Sequence, residues 1–342
     1  MKISDLLRKH QLISFFALTY AITWGLWIPF GILYFQKNLI IAGAFMTWGA
    51  FGPALAGIII TRITIPKRVE NGRKAPLLAF FIGLLVSALI IILVEWPPEK
   101  VGGLIVMGLI AAVPPAFVIS STFSQNQNVR KYLNSLIKPR GSLIYYLFAL
   151  LIQPFTFWIG SVISNILGLS VYSTPTLLNS MGRGEAVIVI LILFIYQFFY
   201  GNVLGEEVGW RGFALPRLQA RFSPLFASLI IASIWFPWHL PLKIMNPDVL
   251  PYLFYGLTFI PGSIILTWIY NRTEGSILAV GIAHVASNVS GNFLFPITDG
   301  YLVAKIIVAI ILIMGYRMWE KVSSENSSDI YSAIEDVTYS TS

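Results

Sequence analysis

The sequence predicts an all-α, polytopic transmembrane helical bundle with about 8–10 spans, and composition and hydropathy patterning carry this prediction. Of the 342 residues, 56% are hydrophobic and only 11% are charged, whereas a soluble domain has about 25% charged residues. Apolar stretches of the length that one helical span requires recur along most of the chain. These stretches are continuous and do not alternate polar with apolar residues, which excludes a transmembrane β-barrel.

Ten apolar runs are candidate spans. The first follows a basic N-terminal segment and is longer than the apolar region of a typical signal peptide, so we expect it to be retained as a span. The ten runs cover residues 12–34, 39–61, 75–96, 101–121, 143–168, 185–214, 224–243, 250–270, 275–296 and 300–317.

Charge distribution predicts the topology and the domain organisation. The loops at 62–74 and 130–140 are rich in Lys and Arg, so both are expected to be cytoplasmic, and alternation then places both termini in the cytoplasm. The net charge of +8 therefore follows from topology, and no nucleic-acid partner is expected. Residues 1–318 form the bundle, and the tail at 319–342, rich in Ser, Glu and Asp, is expected to be disordered.

Ionisable side chains inside apolar runs are costly, so each one is a candidate functional residue. The sixth run ends in Glu206, Glu207 and Arg211. Glu207 and Arg211 are four residues apart with the acid first, the favoured order for a helical ion pair. Glu206 points about 100° away on the helix and lacks this partner, which makes it the candidate general base. The alternative is a charge cluster at the cytoplasmic rim of the membrane.

Two further segments carry polar side chains. Pro237 and Pro241 are expected to kink or end the seventh helix near His239, which either functions in a site or bonds a carbonyl that a proline has freed. His284 and Asn288 are four residues apart and share one helix face, where they could address one ligand or bond a neighbouring helix. For the three segments to meet, the sixth helix must continue past its second glutamate or turn back into the membrane.

The ordered pattern of Glu-Glu-x-x-x-Arg, an aromatic residue four positions before a histidine, and His-x-x-x-Asn resembles the CPBP intramembrane proteases. That family groups the CAAX prenyl endopeptidases of the Rce1 type with bacterial relatives implicated in bacteriocin immunity and peptide processing. The motifs run from Glu206 to Asn288, within an expected protease core at 185–296. One departure is visible, because the family usually has Phe at the aromatic position and this sequence has Trp235.

The resemblance implies an intramembrane endopeptidase that hydrolyses a peptide bond of a membrane-associated or lipidated peptide or protein. It implies that Glu206 activates the attacking water, that His239 is its partner at this water, and that His284 with Asn288 stabilises the oxyanion. Glu207 and Arg211 map onto supporting positions. Neutral donors directed at a developing oxyanion, together with a base, meet the chemical needs of amide hydrolysis.

Metal dependence and function class leave alternatives open. No cofactor is expected, although Glu206, His239 and His284 form a His₂Glu set of the type that binds catalytic zinc. The sequence has no His-Glu-x-x-His helix and no cysteine. The rival functions are an ion- or proton-coupled transporter that uses the same side chains as a relay, and a non-catalytic membrane immunity or partner protein.

Overall fold

A computed structural model of the chain describes residues 3–37, 39–64, 75–95, 101–173, 181–243 and 256–322. Most of the first basic loop, the start of the eighth apolar run and the predicted disordered tail beyond residue 322 lie outside these ranges. Within them, the predicted all-α class is confirmed, since the strands form one short antiparallel pair, β1 (Val171–Ser173) with β2 (Ile297–Thr298).

The helices include two of the π type, in which each N–H bonds the carbonyl five residues earlier. In chain order the helices are α1 (Ile3–Lys9), α2 (Gln11–Phe35), α3 (Leu39–Ala50), α4 (Gly52–Thr64), α5 (Ala75–Glu95), α6 (Val101–Ala111), α7 (Val113–Ser121), α8 (Gln127–Ile137), α9 (Leu143–Leu167), α10 (Arg183–Phe199), π1 (Asn202–Ala214), α11 (Leu215–Gln219), α12 (Pro224–Trp238), α13 (Leu240–Lys243), α14 (Phe259–Arg272), α15 (Ile277–Val289), π2 (Ser290–Leu294) and α16 (Asp299–Gly315).

Six of these helical segments are long and apolar enough to cross a membrane, and two bent helix pairs raise the number to eight among the described residues. The bent pairs are Ile41–Ala50 with Gly52–Thr64, and Gly184–Phe199 with Asn202–Gln219. The eighth and tenth predicted runs are not among these eight; they appear as α14, with 14 described residues, and α16, with 17. The chain is therefore a multi-pass integral membrane protein.

The sixth apolar run is two helices that meet at an angle of 50°. The break lies at Gly201, whose φ of 145° is a backbone conformation that glycine adopts readily and other residues rarely adopt. Beyond it, π1 carries both glutamates and α11 extends the helical path to Gln219. The helix thus continues past Glu207, as the site requires, but the bend that precedes it was not predicted.

Glycines let π1 pack directly against the backbone of the first bent pair. A Cβ atom added to Gly205 would lie 2.5 Å from the carbonyl oxygen of Ala50, and one added to Gly209 would lie 2.5 Å from the carbonyl carbon of Pro53. Such distances are shorter than van der Waals contact, so any larger residue would push the helices apart. The break between α3 and α4 therefore fixes the position of the two glutamates between these glycines.

Candidate active site

The two adjacent glutamates have different partners. Glu207 is fully buried, and its Oε1 accepts hydrogen bonds from Arg211 Nη1 at 2.9 Å and His284 Nδ1 at 2.7 Å. Arg211 is fully buried as well. The helical ion pair expected from the sequence is thus present, and it extends to a histidine on α15, a contact that sequence reasoning did not predict.

Glu206 is 5% exposed and forms no ion pair within the described ranges. Its Oε2 accepts a hydrogen bond from the indole Nε1 of Trp235 at 2.7 Å. Trp235 occupies the position at which the resembling family usually has Phe, and a phenyl ring has no donor. The departure noted in the sequence therefore adds a hydrogen-bond donor to the candidate base.

Trp235 also contacts the other charged groups of the site. The guanidinium carbon of Arg211 lies 4.5 Å from the centroid of its ring, a cation–π geometry. The imidazole of His284 meets the indole edge to face, with 5.4 Å between ring centroids. One aromatic side chain thus joins the base, the buried cation and a histidine, a role that sequence reasoning did not assign to it.

His239 has a main-chain partner and also faces the site. The imidazole Nδ1 of His239 lies 3.0 Å from the carbonyl oxygen of Trp235. The main-chain N–H of His239 donates a hydrogen bond to the carbonyl of Phe236. The Trp235 carbonyl is open to the imidazole because the main-chain N–H of His239 bonds Phe236 instead, so it is not, as one of the two sequence interpretations expected, a carbonyl that Pro237 or Pro241 frees. Because a carbonyl only accepts, Nδ1 donates, and the neutral imidazole then carries its lone pair on Nε2.

A cavity of about 320 Å³ brings the three predicted segments together. Glu206, His239, His284 and Asn288 all line it, whereas Glu207 and Arg211 are not among its lining residues. Its volume lies at the lower end of the range for small-molecule sites. The four residues predicted to be catalytic thus line one cavity, and Glu207, which Arg211 holds, contacts His284 from outside it.

Lys305 lines the same cavity and was missing from the predicted site. It belongs to α16 and is only 6% exposed. The sequence did contain the signal for it, namely an ionisable side chain within the last apolar run. The set of intramembrane polar residues is therefore larger than the six singled out from the sequence.

The alternative zinc site requires Glu206, His239 and His284 to converge on one point. Within the described ranges, no three His, Asp or Glu side chains are grouped closely enough to hold a metal ion. The Nδ1 atoms of His239 and His284 face the Trp235 carbonyl and the Glu207 carboxylate. Glu206, His239 and His284 therefore do not form a preassembled His₂Glu site.

Part of the chain is similar to known proteins. Residues 185–290 match the family described as type II CAAX prenyl endopeptidase Rce1-like. The curated protein CAAX prenyl protease 2 of Methanococcus maripaludis is 36% identical over 98 residues, which cover 26% of this chain and 36% of the relative. The chain thus spans little more than a third of that relative's length. The segment matched to the family contains all six residues that the sequence analysis singled out.

Proposed function

We propose, on the premise that residues 185–290 belong to the Rce1-like family of type II CAAX prenyl endopeptidases, that this chain is an intramembrane endopeptidase. Its substrate is a membrane-associated or lipidated peptide or protein, and water activated by Glu206 attacks the peptide bond. The observation that carries the proposal is that the two glutamates differ in their ionic partners. Arg211 and His284 hold the Glu207 carboxylate, whereas Glu206 lies on a cavity wall without an ionic partner in the described chain.

The attacking water is held and deprotonated by Glu206. The Trp235 indole binds one carboxylate oxygen and so fixes the orientation of the other relative to the cavity. The carboxylate takes a proton from water as its oxygen bonds the scissile carbonyl carbon, and it later returns this proton to the leaving amine. His239 assists by accepting a hydrogen bond from the same water at Nε2.

The oxyanion is stabilised from α15. The Asn288 side-chain amide can donate to the oxygen on which negative charge develops. His284 donates from Nε2 when its ring is protonated, because Nδ1 is already directed at Glu207. The Glu207 and Arg211 pair thus acts through His284, and it orients the imidazole without touching the substrate.

A conservative change at Glu206 tests the base. In purified full-length protein, Glu206→Gln keeps the side-chain shape and should lower cleavage of a prenylated CAAX reporter peptide by at least about 100-fold, the lower end of a general base's contribution. Glu185→Gln is the matched control, because Glu185 is exposed on the first turn of α10 and should tolerate the change. Unchanged cleavage by Glu206→Gln would contradict the proposal.

The same assay addresses the metal. No step of the proposed mechanism uses a metal ion, so exhaustive chelation should leave the cleavage rate unchanged. Loss of activity on chelation, with recovery on addition of zinc, would contradict a glutamate mechanism that needs no metal. If the wild-type protein cleaves no peptide but takes up an ion down a gradient, the transporter interpretation replaces the endopeptidase.

A further inference from the structure

Lys305 is a buried cation on the cavity that holds the candidate base. Its side chain belongs to α16, and Glu206 reaches the same cavity from π1. Within the described ranges, no carboxylate lies within salt-bridge distance of Lys305 and no hydrogen bond to it is formed. The ring of Tyr301 lies nearby, with its centroid 5.1 Å from Nζ, a cation–π geometry.

Among the described residues, Lys305 has no counter-ion. Glu207 and Arg211 form a buried pair of opposite charge. The remaining carboxylate of the cavity, on Glu206, lies beyond salt-bridge distance of Lys305. Burying a charge without an ion-pair partner is costly, so a ligand that brings a negative charge to Lys305 gains by pairing with it.

The surroundings of Lys305 leave space for such a ligand. Gly262 on α14 also lines the cavity, and a Cβ atom added to it would lie 3.1 Å from Nζ. Gln153 on α9 lines the cavity, and its buried amide oxygen has no hydrogen-bond partner within the described residues. A cation and an unsatisfied amide oxygen match the carboxylate and the N–H groups of a peptide.

We propose that Lys305 binds a carboxylate of the substrate on the cavity that carries Glu206. This inference rests on the proposed endopeptidase function and makes its substrate class narrower: peptides that carry a carboxylate close to the scissile bond. The carboxylate is supplied either by the free C-terminus of the substrate or by an acidic side chain near the cut.

The test compares prenylated reporter peptides that differ only in their charge. One ends in a free carboxylate, the second ends in a carboxamide, and the third combines a terminal carboxamide with a glutamate side chain at the last position. Cleavage is measured with the wild-type protein, with Lys305→Met and with Ile310→Met, a control on the exposed face of the same helix. Binding of the same peptides is measured with Glu206→Gln, which separates recognition from cleavage.

The wild-type protein should cleave the free acid at least tenfold better than the carboxamide, mainly through a lower KM. Lys305→Met should remove this preference by lowering cleavage of the free acid more than cleavage of the carboxamide, while Ile310→Met keeps the preference. Better cleavage of the glutamate peptide than of the plain carboxamide would show that a side-chain carboxylate also serves as the ligand, and equal cleavage of these two peptides would identify the terminal carboxylate. Gly262→Ala, which crowds Nζ, should weaken the preference as a second variant.

Equal cleavage and equal binding of all three peptides by the wild-type protein would overturn the proposal, whatever the folding of the variants. An equal loss for both peptides in Lys305→Met would overturn it as well, because it would show a structural role only. If Glu206→Gln binds the acid selectively but the wild-type protein cleaves no peptide, the endopeptidase function fails while carboxylate recognition stands. If cleavage occurs without selectivity, only the inference about Lys305 fails.

Discussion

The Trp235 indole is the residue whose chemistry distinguishes this site from one with Phe at the same position. Trp235→Phe keeps most of the aromatic surface and removes only the donor to Glu206. A hydrogen bond to a charged group contributes about 1.5–3 kcal/mol, so kcat should fall by roughly tenfold or more if this bond orients the base. KM should change little, because the indole N–H bonds the base and not the substrate. Steady-state cleavage of a reporter peptide measures both.

Trp268→Phe is the matched control for this change. Trp268 is as deeply buried, its Nε1 has no partner within the described residues, and it does not line the cavity. It should reproduce any loss of packing without the loss in kcat. If the two variants lower kcat equally, the hydrogen bond to Glu206 has no special role in turnover.

The positions of the six candidate residues could be predicted only in part from the sequence. Their ordered motifs identified the residues that meet around one cavity, because charged groups are rare in apolar runs. The donor role of Trp235 depends on how the indole faces a carboxylate on another helix, which no local pattern encodes. Lys305 belongs to none of these ordered motifs, and only the packing of α16 in the folded chain brings it to the same cavity.

The shape of the helix that carries the glutamates also could not be predicted fully from the sequence. Hydropathy predicts one continuous run at 185–214, since Gly201 is not polar enough to interrupt it. The bend at this glycine and the π geometry beyond it depend on the tertiary fit of π1 against α4. Because π-helices are rare, the sequence pattern favours an ordinary α-helix here. Where π segments do occur, they are frequently found at functional sites.

Gly209→Ala tests whether this close packing positions the site. The added methyl group would lie 2.5 Å from the Pro53 carbonyl carbon, so π1 must move away from α4. Overpacking of this kind costs about 1–3 kcal/mol, and the thermal unfolding temperature in detergent should fall. Because displacements of about 1 Å can cost 100-fold in rate, cleavage should fall by more than the loss of folded protein explains.

Gly25→Ala is the corresponding control. Gly25 lies within α2, and a Cβ atom added to it would meet nothing within 4 Å. Since alanine is favoured over glycine in a helix by about 1 kcal/mol, this variant should be neutral or slightly more stable. A Gly209→Ala protein with wild-type stability and activity would show that the site tolerates a shift of π1.

At the scale of the whole molecule, composition was enough to predict the fold class. A chain with 11% charged residues cannot fold as an ordinary soluble domain, and its long apolar runs require helices in a bilayer. Span number was harder to predict, because a bent pair such as α3 with α4 is a single hydrophobic run in the sequence. The orientation in the membrane rests on loop charge alone and stays a prediction.

The absence of cysteine makes this orientation directly testable, since any introduced thiol is the only one in the chain. Ser142 and Ser170 are exposed residues at opposite ends of α9, which has 25 residues and is long enough to cross the membrane once. The basic loop before Ser142 predicts a cytoplasmic location, and the poorly basic segment around Ser170 predicts the outer side. In intact cells, a membrane-impermeant maleimide should therefore label Ser170→Cys and not Ser142→Cys, and permeabilisation should allow both to react. The reversed pattern would invert the whole bundle, and labelling of both before permeabilisation would mean that α9 does not span the membrane.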